Sequence, residues 1–296
     1  MKRQANFYHS IELMRVIGVM LITLTHVKHE FEVGLAFLVL EEIPLYGTLL
    51  LSVISGFLFA ANDSGQPILM KKIKSLLIPY LIANGIVIVL VSVCHYFGVD
   101  FLNRLKHDMS LITEGLFSLT IAPVNPPTYF LRDLFMIFCC IALLKREWWS
   151  LVFIVPYVFW GTLFLRWDIL ILFASGYLLQ KFLKNKERIW PILAGLPLIA
   201  ILIYFYPDKW HRHIVAIGLF AALVNIPMKF VRTGGFTYLL HLYHSPIMLV
   251  AFAVAIRFIE NQILLVVLQI ATAYLVCFLA FKMIRRLKWN FIIGNR

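Results

Sequence analysis

IELMRVIGVMLITLTHVKHE, Ile11 to Glu30, is the most informative run in the chain. It is apolar along most of its length and about as long as a helix needs to be to cross a bilayer, roughly 20 residues. Arg15 and His26 stand inside that apolar run. Read as one helix, the eleven steps between them return His26 to within roughly 20° of the face of Arg15, about 16 Å farther along the axis. Glu12, His29 and Glu30 fall on or beside the same stripe, with Thr23 and Thr25 flanking it. A guanidinium and an imidazole are costly in hydrocarbon, so the stripe is expected to face protein or a wet cavity.

The rest of the chain repeats the apolar theme. Of its 296 residues 61% are hydrophobic and only 14% charged, against about 25% charged in soluble domains, and the mean hydropathy is +0.87. Apolar stretches near membrane length place ten spans at about 9–30, 44–61, 73–97, 128–144, 149–165, 168–183, 190–206, 211–227, 236–258 and 262–284. The expected fold is therefore an all-α polytopic membrane protein of about ten transmembrane helices, organised as one domain over 1–296. Lys2 and Arg3 ahead of the first span imitate a signal peptide. The apolar region is too long for one, and charged residues rather than a small-residue cleavage site follow it, so it is expected to stay attached.

Lys and Arg gather in alternate connections. With the N-terminus inside, Lys71, Lys72, Lys74, Lys145, Arg146, Lys181, Lys184, Lys186, Arg188, Lys229, Arg232 and the C-terminal basic residues lie inside. Lys28, Arg104, Lys106, Arg166, Lys209, Arg212 and Arg257 lie outside. The positive-inside rule then puts both termini in the cytoplasm. The formal net charge of +12 reads as topology and contact with anionic lipid headgroups, not as nucleic-acid binding. Cys94, Cys139, Cys140 and Cys277 all fall in expected spans without CxxC spacing, which points to apolar packing rather than disulfides. The longest non-spanning stretch, 98–127, is expected outside. Its apolar part, 109–121, reads as an amphipathic or re-entrant helix, either a lid on the acceptor side or a packed surface element.

Four segments together resemble the acyltransferase 3 family of integral-membrane acyltransferases. SIELMRVIGVMLITLTH, Ser10 to His26, is similar to the family's first helix. ISGFLFA, Ile54 to Ala60, resembles its SGF segment. PTYFLRDLF, Pro127 to Phe135, is close to its WFLRDLF, with Tyr129 in place of Trp. TYLLHLYHSPIM, Thr237 to Met248, is similar to a late helix ending in YxxH. KKIKSLLIPYLIAN, Lys71 to Asn84, also resembles the basic loop and third helix of a subgroup, although Lys71 and Lys74 replace the arginines of an RxxR pattern and stand farther from Pro79.

The resemblance implies transfer of an acetyl group from acetyl-CoA to a hydroxyl of a cell-surface polysaccharide or its lipid-linked precursor. It implies a multi-pass protein of the bacterial cytoplasmic (inner) membrane. His26 is the implied catalytic histidine, and Arg15 its partner in the motif. Such a reaction needs a base for the hydroxyl proton, and neutral imidazole suits it because its pKa lies near working pH. Glu30, one turn on if the helix continues, is the carboxylate expected to fix the His26 tautomer. Arg15 either binds a CoA phosphate together with Lys71 and Lys74 or pairs with Glu12. Arg132, Asp133, His244 and Asn84 are expected on the acceptor side. Arg132 and Asp133 are adjacent and so are expected to point apart, with Thr128 as N-cap of their helix. Asn84 is alternatively a tie between helices, and Arg132 alternatively a helix-end salt bridge. His241 and His244, like His26 and His29, share a helix face, but no HExxH is present and no metal is expected. A transporter or flippase of a lipid-linked saccharide, or a non-catalytic assembly partner, is the competing reading. Thioester chemistry by the purified protein separates them.

Overall fold

The computed structural model describes residues 9–62, 65–99, 105–183, 211–231 and 233–295. The expected span 190–206, the basic stretch around Lys184, Lys186 and Arg188, and Lys2, Arg3, Arg104, Lys209, Arg232 and Arg296 lie outside the described residues. Among the described residues every regular element is helical. In chain order the main helices are α1 (His9–Leu24), α2 (Gly34–Asn62), α3 (Leu69–Tyr96), α4 (Pro126–Leu144), α5 (Trp148–Trp160), α6 (Trp167–Leu183), α7 (His211–Leu223), α8 (Gly234–Ala255) and α9 (Gln262–Arg286). Helices α2, α3, α4, α8 and α9 are long and apolar enough to cross a membrane.

Three expected spans end early. α1 stops at Leu24, so the run 9–30 is not one helix. Thr23 in its last turn and Thr25 just past its end donate their hydroxyls to the carbonyls of Val19 (2.9 Å) and Ile22 (2.7 Å). α5 ends at Trp160, where Gly161 is extended, and residues 161–166 run on without helix. α7 ends at Leu223. The expected helix at 109–121 shrinks to a π-helical turn, Leu111–Leu116. Beyond it the Glu114 carboxylate accepts from the backbone of Thr120 (2.9 Å) and Ile121 (3.1 Å). Partial burial pushes the Glu114 carboxyl up, but these hydrogen bonds outweigh it and hold the carboxyl below its usual range. This tie stabilises the loop above the ordinary carboxylate pKa and is lost as pH falls through the lowered value.

Two units divide the chain. The first comprises Met1–Thr25, Val33–Gln66 and Trp167–Thr237, and its core is α1, α2, α6 and α7. Glycine sets how closely these helices approach. A Cβ on Gly56, the glycine of the SGF segment, would sit 1.8 Å from the Phe173 carbonyl oxygen. One on Gly176 would sit 2.0 Å from that of Val53. The α2–α6 crossing is thus a backbone-on-backbone contact of the small-residue kind found between membrane helices. Gly56→Ala is expected to lower stability by about 3 kcal/mol, the upper end of overpacking costs. Thermal unfolding in detergent measures this, and an unchanged midpoint would contradict the packing.

The second unit comprises His26–Glu32, Pro67–Arg166 and Tyr238–Arg296. Glu147, just past α4, accepts from the free N–H groups of Ile68 (2.7 Å) and Leu69 (3.1 Å) at the start of α3. That bond fixes α3 and α4 side by side and caps α3 in the same stroke. The Tyr238 hydroxyl donates to the Ser75 carbonyl at 2.9 Å, which joins α8 to the same end of α3.

Candidate active site

The site residues of the second unit assemble around a flaw in α8. Pro246 lies inside that helix and has no N–H, so the carbonyl of Leu242 loses its intrahelical donor. Asn125 supplies the missing hydrogen bond, its Nδ2 donating to Leu242 O at 2.7 Å. The Asn125 backbone N–H in turn donates to Asn84 Oδ1 at 3.1 Å. Asn84 Nδ2 donates to Thr128 Oγ1 and to Tyr80 O, both at 2.9 Å, and the Thr128 hydroxyl donates to Asn125 O at 2.8 Å. Asn84, Asn125 and Thr128 are all buried. Asn84 therefore ties helix α3 to the start of α4. Thr128 does not cap α4 with its side chain, because a 3-10 turn, Pro126–Thr128, precedes the α-helical part and the hydroxyl is turned to Asn125.

This network fixes the stretch of α8 that carries two histidines. His244 is fully buried, and its Nδ1 lies 2.7 Å from the Leu240 carbonyl. A carbonyl only accepts, so Nδ1 carries the proton and a neutral His244 keeps a lone pair on Nε2. The His26 ring packs against it, with centroids 5.3 Å apart and planes inclined by 53°. His241 is one turn back, 6.4 Å from His244 and edge-on to Phe130 at 6.0 Å. His26 is only half-buried, so of the two rings in contact it is the one open to a substrate. Among the described residues no group of three or more His, Cys, Asp or Glu is arranged to hold a metal ion.

His26 reaches this position because 26–32 is held by main-chain bonds, not by helix. The side-chain amide of Gln269, fully buried in α9, grips Lys28 twice. Lys28 N donates to Gln269 Oε1 and Gln269 Nε2 donates to Lys28 O, both at 2.9 Å. Glu30 is exposed and accepts from Gln262 Nε2 at 3.0 Å. With α1 ending at Leu24, no helical turn joins Glu30 to His26, and the spacing that made Glu30 the orienting carboxylate fails. The same break removes the shared helix face of Arg15 and His26. Gln269 and Asn125 were not singled out from sequence. The signal for Gln269 was present, an amide two turns inside an apolar 25-residue helix, since polar groups in spans are rarely idle.

Arg132 and Asp133 form a clamp. They are 2% and 0% exposed and pair directly, Arg132 Nη1 to Asp133 Oδ1 at 2.6 Å, although they are neighbours in sequence. Arg132 also donates to the carbonyls of Leu163 (2.8 Å) and Thr162. Asp133 accepts from the backbone of Leu165 (3.0 Å) and Arg166 (2.9 Å). The pair thus replaces the backbone partners that 162–166 lost when α5 ended. In the first unit, Arg15 Nη1 donates to Glu12 Oε2 at 3.1 Å. Glu12 Oε1 accepts from the N–H and hydroxyl of Thr233 at 2.8 and 2.9 Å. Arg15 keeps 23% of its side chain exposed, so the ion pair leaves it open to a further anion. Lys71 and Lys74 are exposed at the start of α3, while Lys72 lies 3.6 Å over the Phe138 ring.

A family model described as an acyltransferase domain, Acyl_transf_3, matches residues 8–293. The chain belongs to the acyltransferase 3 family. The match runs through both units without a break, so α1, the 26–32 segment and the α8 histidines all fall inside the acyltransferase domain. No curated protein and no solved structure matches the chain. Family membership and the five apolar helices make it a multi-pass membrane acyltransferase.

Proposed function

We propose that this acyltransferase moves an acetyl group from acetyl-CoA to a hydroxyl of a cell-surface polysaccharide or its lipid-linked precursor, with His26 as general base. The observation that carries this reading is a half-buried imidazole, backed by a second, buried imidazole of defined tautomer, inside an acyltransferase domain. Neutral imidazole takes the hydroxyl proton as the oxygen attacks the thioester carbonyl. Arg15, Lys71 and Lys74 are the donor-side cations, because the phosphates of CoA seek guanidinium and ammonium partners. The full set of about ten spans, cytoplasmic termini and a place in the bacterial inner membrane complete the proposal, and the alternating distribution of Lys and Arg supports them.

Purified protein supplied with acetyl-CoA and an oligosaccharide acceptor is expected to release CoA thiol and form ester together. A flippase or assembly partner releases none. Arg15→Ala is expected to weaken acetyl-CoA binding by about tenfold, the loss of one charge-assisted hydrogen bond. Calorimetric titration reads this. Equal affinity in wild type and variant removes Arg15 from the donor site and leaves its Glu12 pair as its whole role.

A further inference from the structure

Glu30, the carboxylate that helical spacing would put behind His26, is turned to Gln262 instead. The ring against His26 belongs to His244. We propose that His244 is the positioning residue of the reaction: with acceptor bound, its Nε2 comes to accept the N–H of His26, a bond that the two rings, in contact here, do not yet make, which leaves the other nitrogen of His26 as the lone pair that faces the acceptor hydroxyl. This inference rests on His26 as base.

Three observations carry it. The Leu240 carbonyl holds the His244 proton on Nδ1, so its Nε2 is the acceptor nitrogen. The centroid separation of 5.3 Å is close to the roughly 5 Å that two imidazoles span when joined by one N–H···N bond of ordinary length. His244 is fully buried, whereas His26 is not, so His244 can reach the reaction only through His26. Behind it, Asn125 holds Leu242 O, so the turn of α8 that carries His244 is fixed in spite of Pro246.

The step balances without a further reactant. The acceptor O–H bond breaks as oxygen bonds to the acetyl carbon, and the proton passes to His26. Imidazolium is then stabilised by its hydrogen bond to His244. The C–S bond breaks, and the proton on His26 goes to the CoA thiolate, so ester and free thiol depart and both rings return neutral. A neutral histidine serves here in the place where a triad uses a carboxylate, which suits a site in which an extra buried charge would be costly.

The experiment compares His244→Phe, which keeps an aromatic ring and removes the acceptor, with His244→Gln, whose Oε1 can accept the His26 N–H. His244→Phe is expected to lower kcat by about 10²-fold or more while KM for acetyl-CoA and acceptor changes less than about threefold, as for a residue that orients a base. His244→Gln is expected to regain about tenfold of that loss. Adding His244→Phe to His26→Ala is expected to cost little more than His26→Ala alone, because residues acting as a unit are not additive. Should His244→Phe fail to fold, judged by thermal unfolding, His244→Met supplies an acceptor-free side chain that packs adaptably. Gln no better than the acceptor-free variant, a rise in acceptor KM at constant kcat, or multiplicative losses in the double variant each overturn the proposal. Loss of activity in His26→Ala with full activity in His244→Phe defeats this inference alone. Full activity in His26→Ala defeats the reading beneath it.

Discussion

His26→Ala is expected to lose transfer activity by roughly 10²–10⁴-fold, the range that one positioned base contributes. The fold should survive the change, because what holds the 26–32 segment is the amide of Gln269 on the backbone of Lys28, not the imidazole. His29→Ala serves as the contrast. The His29 Nδ1 accepts from the N–H of Phe31 at 3.2 Å and closes a local turn. Its removal is expected to change activity severalfold at most. Initial rates of CoA release with acceptor present, normalised to folded protein, decide between them. More than about a tenth of wild-type activity in His26→Ala would place the base elsewhere, since even the low end of the expected range exceeds that.

Asp133→Ala is the substitution with the largest expected effect on stability. It leaves the Arg132 guanidinium buried without an anion, against two carbonyls and the Tyr157 ring, and frees the N–H groups of Leu165 and Arg166. Breaking a buried ion pair from one side costs about 3–5 kcal/mol. For a membrane acyltransferase this is expected to appear as poor accumulation and a lowered unfolding midpoint in detergent. Replacing both partners, Arg132→Met with Asp133→Leu, removes the stranded charge, and its cost is expected to be smaller than that of Asp133→Ala despite changing more atoms. If the double substitution is as damaging as the single one, the hydrogen bonds to 162–166 matter more than the buried charge.

The presence of helices was legible because apolar runs of membrane length have few other solutions. Their ends were not. Nothing in LITLTHVKHE marks Leu24 as a last helical residue, since apolar and polar residues continue in the same pattern. What competes with the helix lies far off in the chain, in an amide at position 269. Helical spacing therefore paired Arg15 with His26 and His26 with Glu30 on a helix that stops short of both His26 and Glu30. The family segments fared differently. Gly56 of the SGF stretch is explained by a carbonyl that leaves no room for a Cβ, and the FLRD pair by backbone groups of 162–166. In each case the residue was conspicuous in the sequence, while its partner, a main-chain atom, carries no letter of its own.

The grip of Gln269 on Lys28 has a consequence for how this chain can vary. A carboxamide that donates to the carbonyl and accepts from the N–H of one residue reads main chain, and main chain offers the same two groups under every side chain except proline. Position 28 is thus open to almost any residue, whereas position 269 is confined to a side chain with both a donor and an acceptor at that reach. The whereabouts of His26 is written in a helix more than two hundred residues downstream. Drift in the loop that bears it leaves that placement untouched, and a single change of amide to acid at 269 rewrites it.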